Sequence, residues 1–170
     1  IEMSKVIVIG GGAAGMMASI FAARRGMEVH VYEKNEKTGK KLYITGKGRC
    51  NLTNACDMEE LLESVKSNKK FLYSAFYGFT NQDAYDFFEA EGLKLKVERG
   101  NRVFPMSDRS ADVLDTLRRA MRSAGVQVHL NTEVKSVRKQ EDGFTLQLAD
   151  KTLEQADKVI VATGGISYES

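Results

Sequence analysis

The sequence contains few of the residues that build disulfide scaffolds and metal sites. Its 170 residues include two cysteines, two histidines, one proline and no tryptophan. Two cysteines are too few for a disulfide scaffold, and Cys50 and Cys56 do not have the ligand spacing of a zinc site. Because His30 and His129 both fall on predicted strands, we interpret them as hydrogen-bonded structural histidines rather than catalytic bases. We therefore expect free thiols and no bound metal.

The chain also has little net charge and no long apolar run. Lysine and arginine outnumber aspartate and glutamate by 25 to 23, which gives no general electrostatic reason to expect nucleic acid or anionic lipid as a partner. The longest apolar stretches are interrupted by glycine or are too short to span a bilayer, and no secretion signal is evident. We expect a cytoplasmic protein that acts on a small molecule, without a membrane or nucleic-acid partner. The sequence does not predict an oligomeric state.

The first 34 residues predict a βαβ unit. KVIVIG, residues 5–10, is a continuous apolar run that ends in glycine, as in a buried parallel strand. Residues 13–25 contain no proline and several alanines and are followed by Gly26, which predicts a helix and its end. EVHVYEK, residues 28–34, alternates as a second strand.

A glycine pattern lies between that first strand and the helix. Gly10, Gly12 and Gly15 form G-x-G-x-x-G, in which the glycines permit a tight turn, a close approach of backbone to a pyrophosphate and close packing of helix on strand. Glu33 ends the second strand, where its carboxylate can accept hydrogen bonds from a ribose diol. The pattern predicts a dinucleotide site that also includes Ala13 and Ala14, and by itself it leaves NAD and FAD open. The alternative is a glycine-rich turn beside a surface glutamate.

The middle of the chain is predicted to be helical and to end in a hairpin. Three helices are expected at residues 58–66, 71–79 and 81–92, the first capped by Asp57. The turn pair at 100–101 predicts that residues 93–99 and 102–105 form a hairpin. A further helix runs to Ser123, capped by Ser107 or Ser110. Its predicted core residues are Val113, Leu114, Leu117 and Met121.

These elements predict an α/β, Rossmann-like fold. Four parallel strands are expected near residues 5–9, 28–33, 127–131 and 158–162. Three alternating stretches, residues 133–139, 144–149 and 151–156, predict an antiparallel three-stranded meander. We expect one domain over residues 1–170, with a core of residues 3–56 and 107–170 and a helical and hairpin insertion at residues 57–106.

The last predicted strand ends in ATGG, residues 162–165. A strand that ends in small residues after a meander resembles the second fingerprint of flavoproteins that bind two dinucleotides, where the small residues let the strand end lie against FAD. A tight turn after a buried strand is the alternative. Together with the glycine pattern, this strand end favours FAD over NAD.

The polar stretch ITGKGRCNLTN, residues 44–54, is built to lie against something polar. Backbone at Gly46 and Gly48 can approach a pyrophosphate or flavin, and Arg49 can pair with phosphate oxygens. Asn51 and Thr53 offer donors and acceptors of the kind that a flavin ring edge requires. A solvated loop is the alternative. Cys50 has no partner at C-x-x-C spacing, so we interpret it as a small packed thiol.

Four motifs occur in the same order as in one family of flavoproteins. IGGGAAGMMAS, GKKLYITGKGRCNLTN, GNRVFPMSDRSADV and ATGGISY resemble the bacterial NAD(P)/FAD-dependent oxidoreductases of the aminoacetone-oxidase-like and bile-acid-dehydroxylation-reductase-like groups. The resemblance spans nearly the whole sequence. It implies cofactor contacts by Gly10, Gly12, Ala13, Ala14, Gly15, Glu33, Lys34, Lys40, Lys41, Gly46, Gly48, Arg49, Cys50, Asn51, Thr53, Val134, Ala162, Thr163, Gly164 and Gly165.

The resemblance also predicts the function. Members of this family are usually longer, which implies that these 170 residues are a truncated FAD-binding domain. In the full-length enzyme, NAD(P)H would reduce FAD, and hydride would pass to an unidentified organic substrate. The fragment is expected to be inactive, and the sequence identifies no catalytic residue. The alternative is a dinucleotide-binding module with a regulatory or tRNA-related role and no redox turnover.

Overall fold

The computed structural model describes residues 3–167, which form two compact units. The first unit runs to Leu42 and resumes at Leu117, and the second is Tyr43–Thr116. The predicted insertion, residues 57–106, lies inside the second unit, whose bounds are wider on both sides. Tyr168, in the motif ATGGISY, lies outside the described residues.

The helices and strands follow the sequence pattern closely. In chain order they are β1 (Lys5–Ile9), α1 (Ala13–Arg24), β2 (Glu28–Tyr32), α2 (Lys40–Gly48), β3 (Thr53–Asn54), α3 (Met58–Glu63), α4 (Lys69–Gly78), α5 (Asn81–Ala90), β4 (Leu95–Glu98), β5 (Arg102–Pro105), α6 (Ser110–Ala124), β6 (Gln127–His129), β7 (Val134–Gln140), β8 (Gly143–Leu148), β9 (Leu153–Ala156) and β10 (Lys158–Val161).

The first unit contains the predicted parallel sheet, in the order β10-β1-β2-β6. All three pairings are parallel, which confirms the four predicted strands. Val6, Ile7 and Val8 of β1 are at most 1% exposed, because β1 lies inside the sheet. β10 is equally apolar in sequence but lies at the sheet edge, and there Val161 is 69% exposed.

The predicted meander packs on this sheet. β7, β8 and β9 form an antiparallel sheet in that order, as the alternation of their residues predicted. Its inward residues Leu146, Leu148 and Ala156 form one buried cluster with Ile7 and Tyr32 of the parallel strands. This apolar contact holds the meander to the sheet, and the α/β Rossmann-like fold class is confirmed.

The second unit contains the three short helices and a small antiparallel sheet, ordered β3-β5-β4. Asp57 caps α3 as predicted, since its side chain accepts from the amide of Glu60 at 2.8 Å. The β4–β5 turn has positive φ at Gly100 and Asn101, 76° and 57°, which explains the choice of residues there.

Helix α6 buries the four apolar side chains that were predicted as its core residues. Val113, Leu114, Leu117 and Met121 are all at most 3% exposed. Ser110 is its first residue, and the Ser110 hydroxyl donates to the Tyr43 carbonyl at 2.6 Å. Ser110, one of the two predicted caps, therefore also links the start of α6 to a neighbouring segment, and capping by Ser107 stays a prediction.

Candidate functional site

The glycine loop joins β1 to α1, and its three glycines meet different surroundings. A Cβ on Gly10 would lie 2.3 Å from the Ala162 carbonyl oxygen, and one on Gly15 would lie 1.8 Å from the Gly10 oxygen. A Cβ on Gly12 would meet nothing within 4 Å. Packing therefore excludes a side chain at the first and third positions, whereas the middle one faces open space through which a ligand can reach the backbone.

The N-terminus of α1 begins at that open position. Gly12 is the N-cap and has no side chain to satisfy the first helical amides, and the first turn contains no acidic residue. Ala13 and Ala14 are exposed. Amide donors and the positive end of the helix dipole therefore face the opening over Gly12, an arrangement that suits a phosphate or pyrophosphate.

Glu33 lies beside the same loop. Its Oε1 accepts from the Gly11 amide at 3.1 Å, and its Oε2 accepts from the Asn35 amide at 2.8 Å. The side chain is 8% exposed, so these bonds satisfy a nearly buried carboxylate. Each oxygen keeps an acceptor position for a ribose hydroxyl. The sequence predicted the location of Glu33 but missed that its carboxylate also holds the glycine loop.

The segment after β10 reaches the loop from the other side. The Ala162 amide donates to Ile9 at 2.8 Å, and Lys41 donates through Nζ to the Gly165 carbonyl at 2.6 Å. Gly164 has a φ of 78°, which favours glycine. Residues 162–165, which include Thr163, thus lie next to Gly10 and Lys41, although the three segments are far apart in sequence. We call this region of the first unit, formed around the glycine loop, Glu33 and residues 162–165, the corner.

Three other predicted contacts of the first unit have ordinary surroundings. Lys34 is exposed, and Lys40 forms an exposed ion pair with Glu36 at 3.3 Å. Val134 packs against the apolar cluster beneath the meander. The cofactor contacts of Lys34, Lys40 and Val134 stay predictions.

The turn at Thr38 and Gly39 is a part of the corner that sequence reasoning missed. The Gly39 amide donates to the Gly11 carbonyl at 2.8 Å, and the Thr38 methyl would lie 3.0 Å from a Cβ on Gly11. Arg118 of α6 donates to the Thr38 hydroxyl and carbonyl at 3.1 and 2.8 Å. The threonine–glycine pair shortly after Glu33 was the available signal.

The polar stretch of the second unit is partly helical, which the sequence did not predict. α2 extends into it and breaks at Thr45, where ψ is 155°, and at Gly46 and Lys47, where φ is 56° and 57°. A Cβ on Gly46 would lie 2.9 Å from the Asn51 amide nitrogen, whereas one on Gly48 would meet nothing within 4 Å. Gly46 is thus required by its own turn, and Gly48 faces open space.

Arg49 has partners that its sequence context did not indicate. Its Nε donates to Asp108 at 2.8 Å, its guanidinium also pairs with Glu98, and it lies 4.0 Å above the centre of the Phe104 ring. The hydrogen bonds that Arg49 donates, first to Glu98 and then to Asp108, raise the pKa of Arg49. A phosphate at Arg49 would have to compete with two carboxylates, Glu98 and Asp108. The phosphate contact of Arg49 stays a prediction.

The other polar side chains of the stretch bond within their own unit. Thr53 donates to the Asn81 carbonyl at 3.5 Å, and Asn54 donates to the Gly100 carbonyl at 2.9 Å. With its amide turned to suit its neighbours, Asn51 donates to Thr53 and Val103 at 3.1 and 3.2 Å. These side chains are thus held by contacts inside the unit, and the cofactor contacts of Asn51 and Thr53 stay predictions.

The thiols match their predicted character. Cys50 and Cys56 are both free, and Cys50 is buried with 4% exposed. Burial raises the pKa of the Cys50 thiol, which therefore stays protonated near neutral pH.

Within residues 3–167, no group of three or more metal-ligating side chains could hold a metal ion. None of the helices in the same range is long and apolar enough to cross a membrane.

Comparison with known proteins gives a family match. Residues 4–170 match the family described as HI0933-like protein Rossmann domain. The 3-dehydro-bile acid delta(4,6)-reductase of Clostridium scindens is 34% identical over 170 residues, 99% of this chain and 41% of the relative. The ribosomal RNA dihydrouridine synthase of Escherichia coli is 34% identical over 166 residues, 98% of this chain and 40% of the relative. The chain thus spans about 40% of the length of these relatives.

Solved structures show the same fold at low identity. THI4 of Thermovibrio ammonificans superposes with a TM-score of 0.63 at 12% identity, over 95% of this chain and 58% of that protein. The Diels-Alderase PyrE3 superposes with a TM-score of 0.60 at 19% identity, over 95% of this chain and 32% of that protein. These similarities support the fold alone.

Proposed function

Because the chain belongs to the HI0933-like Rossmann domain family of flavoprotein oxidoreductases, as its motifs predicted, we propose that it binds FAD in a flavin-dependent oxidoreductase. The observation that carries the proposal is the open position over Gly12, with helix amides on one side and the Glu33 carboxylate on the other. This corner offers donors to a pyrophosphate and acceptors to a ribose diol. Both groups belong to the adenosine half of FAD.

Each residue of the corner has a separate task in this proposal. The backbone at Gly12, Ala13 and Ala14 would hold the pyrophosphate, and Glu33 would orient the adenosine ribose. The close contacts of Gly10 and Gly15 keep the loop in the shape that exposes those amides. The predicted contacts in the second unit, which are Gly46, Gly48, Arg49, Cys50, Asn51 and Thr53, remain predictions.

Bound FAD would supply hydride transfer between NAD(P)H and an organic acceptor. The names of the two relatives both indicate reduction of a carbon–carbon double bond, in a bile acid and in a uridine of ribosomal RNA. We extend that reaction class to the protein that contains this domain, and its substrate is not identified. Since one relative acts on RNA, the absence of a nucleic-acid partner also remains a prediction.

A competition experiment tests the FAD proposal directly. FAD is titrated into the protein and followed by flavin fluorescence, first alone and then with excess ADP or excess FMN. Because the corner suits the adenosine half, ADP is expected to displace FAD, whereas FMN, which lacks that half, is not. Displacement by FMN but not by ADP would reject the assignment of the corner.

The alternative is a dinucleotide-binding module without redox turnover. NAD(P)H separates the two functions, because in the oxidoreductase it bleaches the flavin absorption band under anaerobic conditions. A stable flavin complex with an unchanged band in the full-length protein would favour the module.

A further inference from the structure

Two histidines on neighbouring strands of the parallel sheet are in direct contact. Nδ1 of His30, on β2, lies 2.8 Å from Nε2 of His129, on β6, and the two rings are within 17° of parallel. Nε2 of His30 lies 2.7 Å from the carboxylate of Glu28. His30 is 8% exposed. A carboxylate, an imidazole and a second imidazole therefore form one chain across two strands.

The contact between the rings limits how many protons the pair can hold. The Glu28 carboxylate only accepts, so Nε2 of His30 carries a proton. The bond between the rings then needs one donor and one acceptor, which is possible when the pair is neutral or holds one extra proton. With two extra protons, N–H would face N–H at 2.8 Å, and the bond would break.

The surroundings resist that second proton. Burial is the main cause that lowers the pKa of His129 from its ordinary value of 6.5, and the charge of His30 lowers it further. The folded chain therefore binds fewer protons at His129 than the unfolded chain does. The contribution of neutral His129 to the free energy of unfolding is complete above about pH 6.5 and is lost as the pH falls through the lowered pKa. The other titratable groups around the pair are Glu28 and Tyr32 of β2, Lys5 of β1, Glu154 of β9 and Asp157.

The pair is connected to Glu33 through the backbone. The Glu33 amide donates to the His129 carbonyl at 2.9 Å, and the Thr132 amide donates to the Glu33 carbonyl at 2.9 Å. The segment that begins with β6 thus fixes the main chain of Glu33 on both sides. The carboxylate of the same residue accepts from Gly11 in the glycine loop at 3.1 Å.

We infer that His30 and His129 are positioning residues for Glu33, and that they make nucleotide binding sensitive to acid. Loss of the imidazole contact in acid removes the side-chain hydrogen bond between β2 and β6, and this weakens the backbone hydrogen bond from the Glu33 amide to the His129 carbonyl. The part that concerns nucleotide affinity rests on the proposed FAD function, whereas the effect of the pair on the Glu33 backbone does not.

The first experiment needs no ligand. Protection of the Glu33 amide against hydrogen exchange is measured by NMR at about pH 7.5 and about pH 5.5, in the wild type and in His129→Gln, whose neutral amide can still bond to His30 and does not titrate. We expect protection to fall severalfold in acid in the wild type and to stay constant in the variant. An equal fall in both, or none in the wild type, would overturn the inference.

The second experiment measures FAD affinity at the same two pH values. We expect about threefold or greater weakening in acid for the wild type and a flat profile for His129→Gln. Equal pH dependence in both proteins would overturn the role of the pair in binding while leaving the FAD function intact. An absence of FAD binding at both pH values would reject the FAD function, and the amide measurement would still decide whether the pair positions Glu33.

A second variant guards against a folding defect. If circular dichroism shows that His129→Gln does not fold, His30→Gln replaces the other imidazole of the contact with a neutral amide that does not titrate. It is expected to give the same constant protection of the Glu33 amide, and a wild-type acid response in His30→Gln would contradict the inference.

Discussion

The three loop glycines allow a substitution that separates binding from folding. In Gly12→Val the Cβ enters space where no atom lies within 4 Å of it, so we expect an unchanged fold. It would also occupy the approach to the helix amides, and we expect FAD affinity to fall by about 100-fold or more. Titration with FAD, together with circular dichroism, checks both expectations.

The matched control for this substitution is Gly78→Ala. A Cβ there also meets nothing within 4 Å, but Gly78 ends α4 in the second unit. We expect it to leave FAD affinity unchanged. Equal loss in the two variants, or full affinity in Gly12→Val, would show that Gly12 does not face the phosphates.

Glu33 is expected to contribute to stability as well as to binding. In Glu33→Gln, an amide NH2 group must face a backbone N–H, because both carboxylate oxygens now accept from backbone amides. We expect the free energy of unfolding to fall by about 1 to 3 kcal/mol, measured by urea denaturation. Glu141→Gln, which removes the same charge from an exposed turn, is the control and is expected to change nothing. Stability equal to that of the wild type in Glu33→Gln would contradict the observed hydrogen bonds.

Single residues also show where sequence reasoning ended. Gly10, Gly15 and the position of Glu33 could be predicted, because the G-x-G-x-x-G spacing between a strand and a helix, and an acidic residue at the end of the second strand, are visible in the sequence itself. The partners of Arg49 could not, since Glu98 and Asp108 become its neighbours only through the folding of a hairpin far along the chain. Residue type alone does not distinguish a guanidinium that can bind a phosphate from one that is already paired with carboxylates of its own chain.

The capping box at the start of α5 permits a direct test. Thr80 accepts from the Asp83 amide at 3.0 Å, and the Asp83 carboxylate accepts from the Thr80 amide at 2.8 Å. Thr80→Ala removes the first bond and is expected to lower the free energy of unfolding by about 1 kcal/mol, measured in urea. Thr80→Ser keeps the hydroxyl and is expected to retain most of that stability. Equal loss in both would assign the effect to the methyl group.

Element type was predictable throughout most of the chain, but element ends were less so. Alternation of apolar residues identified the meander, and an apolar face identified α6. The predicted helix at 58–66 ends earlier, at Glu63, and α2 extends into a stretch that we predicted as a loop. The glycines of that stretch do not exclude a helix; they define where it breaks, at Gly46.

At the scale of the whole molecule, we expect the 170-residue chain by itself to hold FAD weakly. The corner serves the adenosine half of FAD, and beside it the apolar side chains of Val161 and Ile166 are 69% and 99% exposed. Apolar burial contributes about 25 cal/mol per Å2, so an incompletely covered flavin ring loses several kcal/mol and gives a dissociation constant of about 1 µM or weaker. The purified chain should be colourless after gel filtration. Stoichiometric yellow flavin would show that these residues suffice.

The parallel sheet also has a consequence for biosynthesis. β1 is synthesised long before its partner β10, and the bond from the Lys5 amide to Asp157 crosses 152 positions. At about 5 to 20 residues per second, a ribosome needs about 8 to 30 s to synthesise that interval. During this time one side of β1, a central strand of the sheet, remains unpaired. We therefore expect the nascent chain to need protection from aggregation until translation has passed β10.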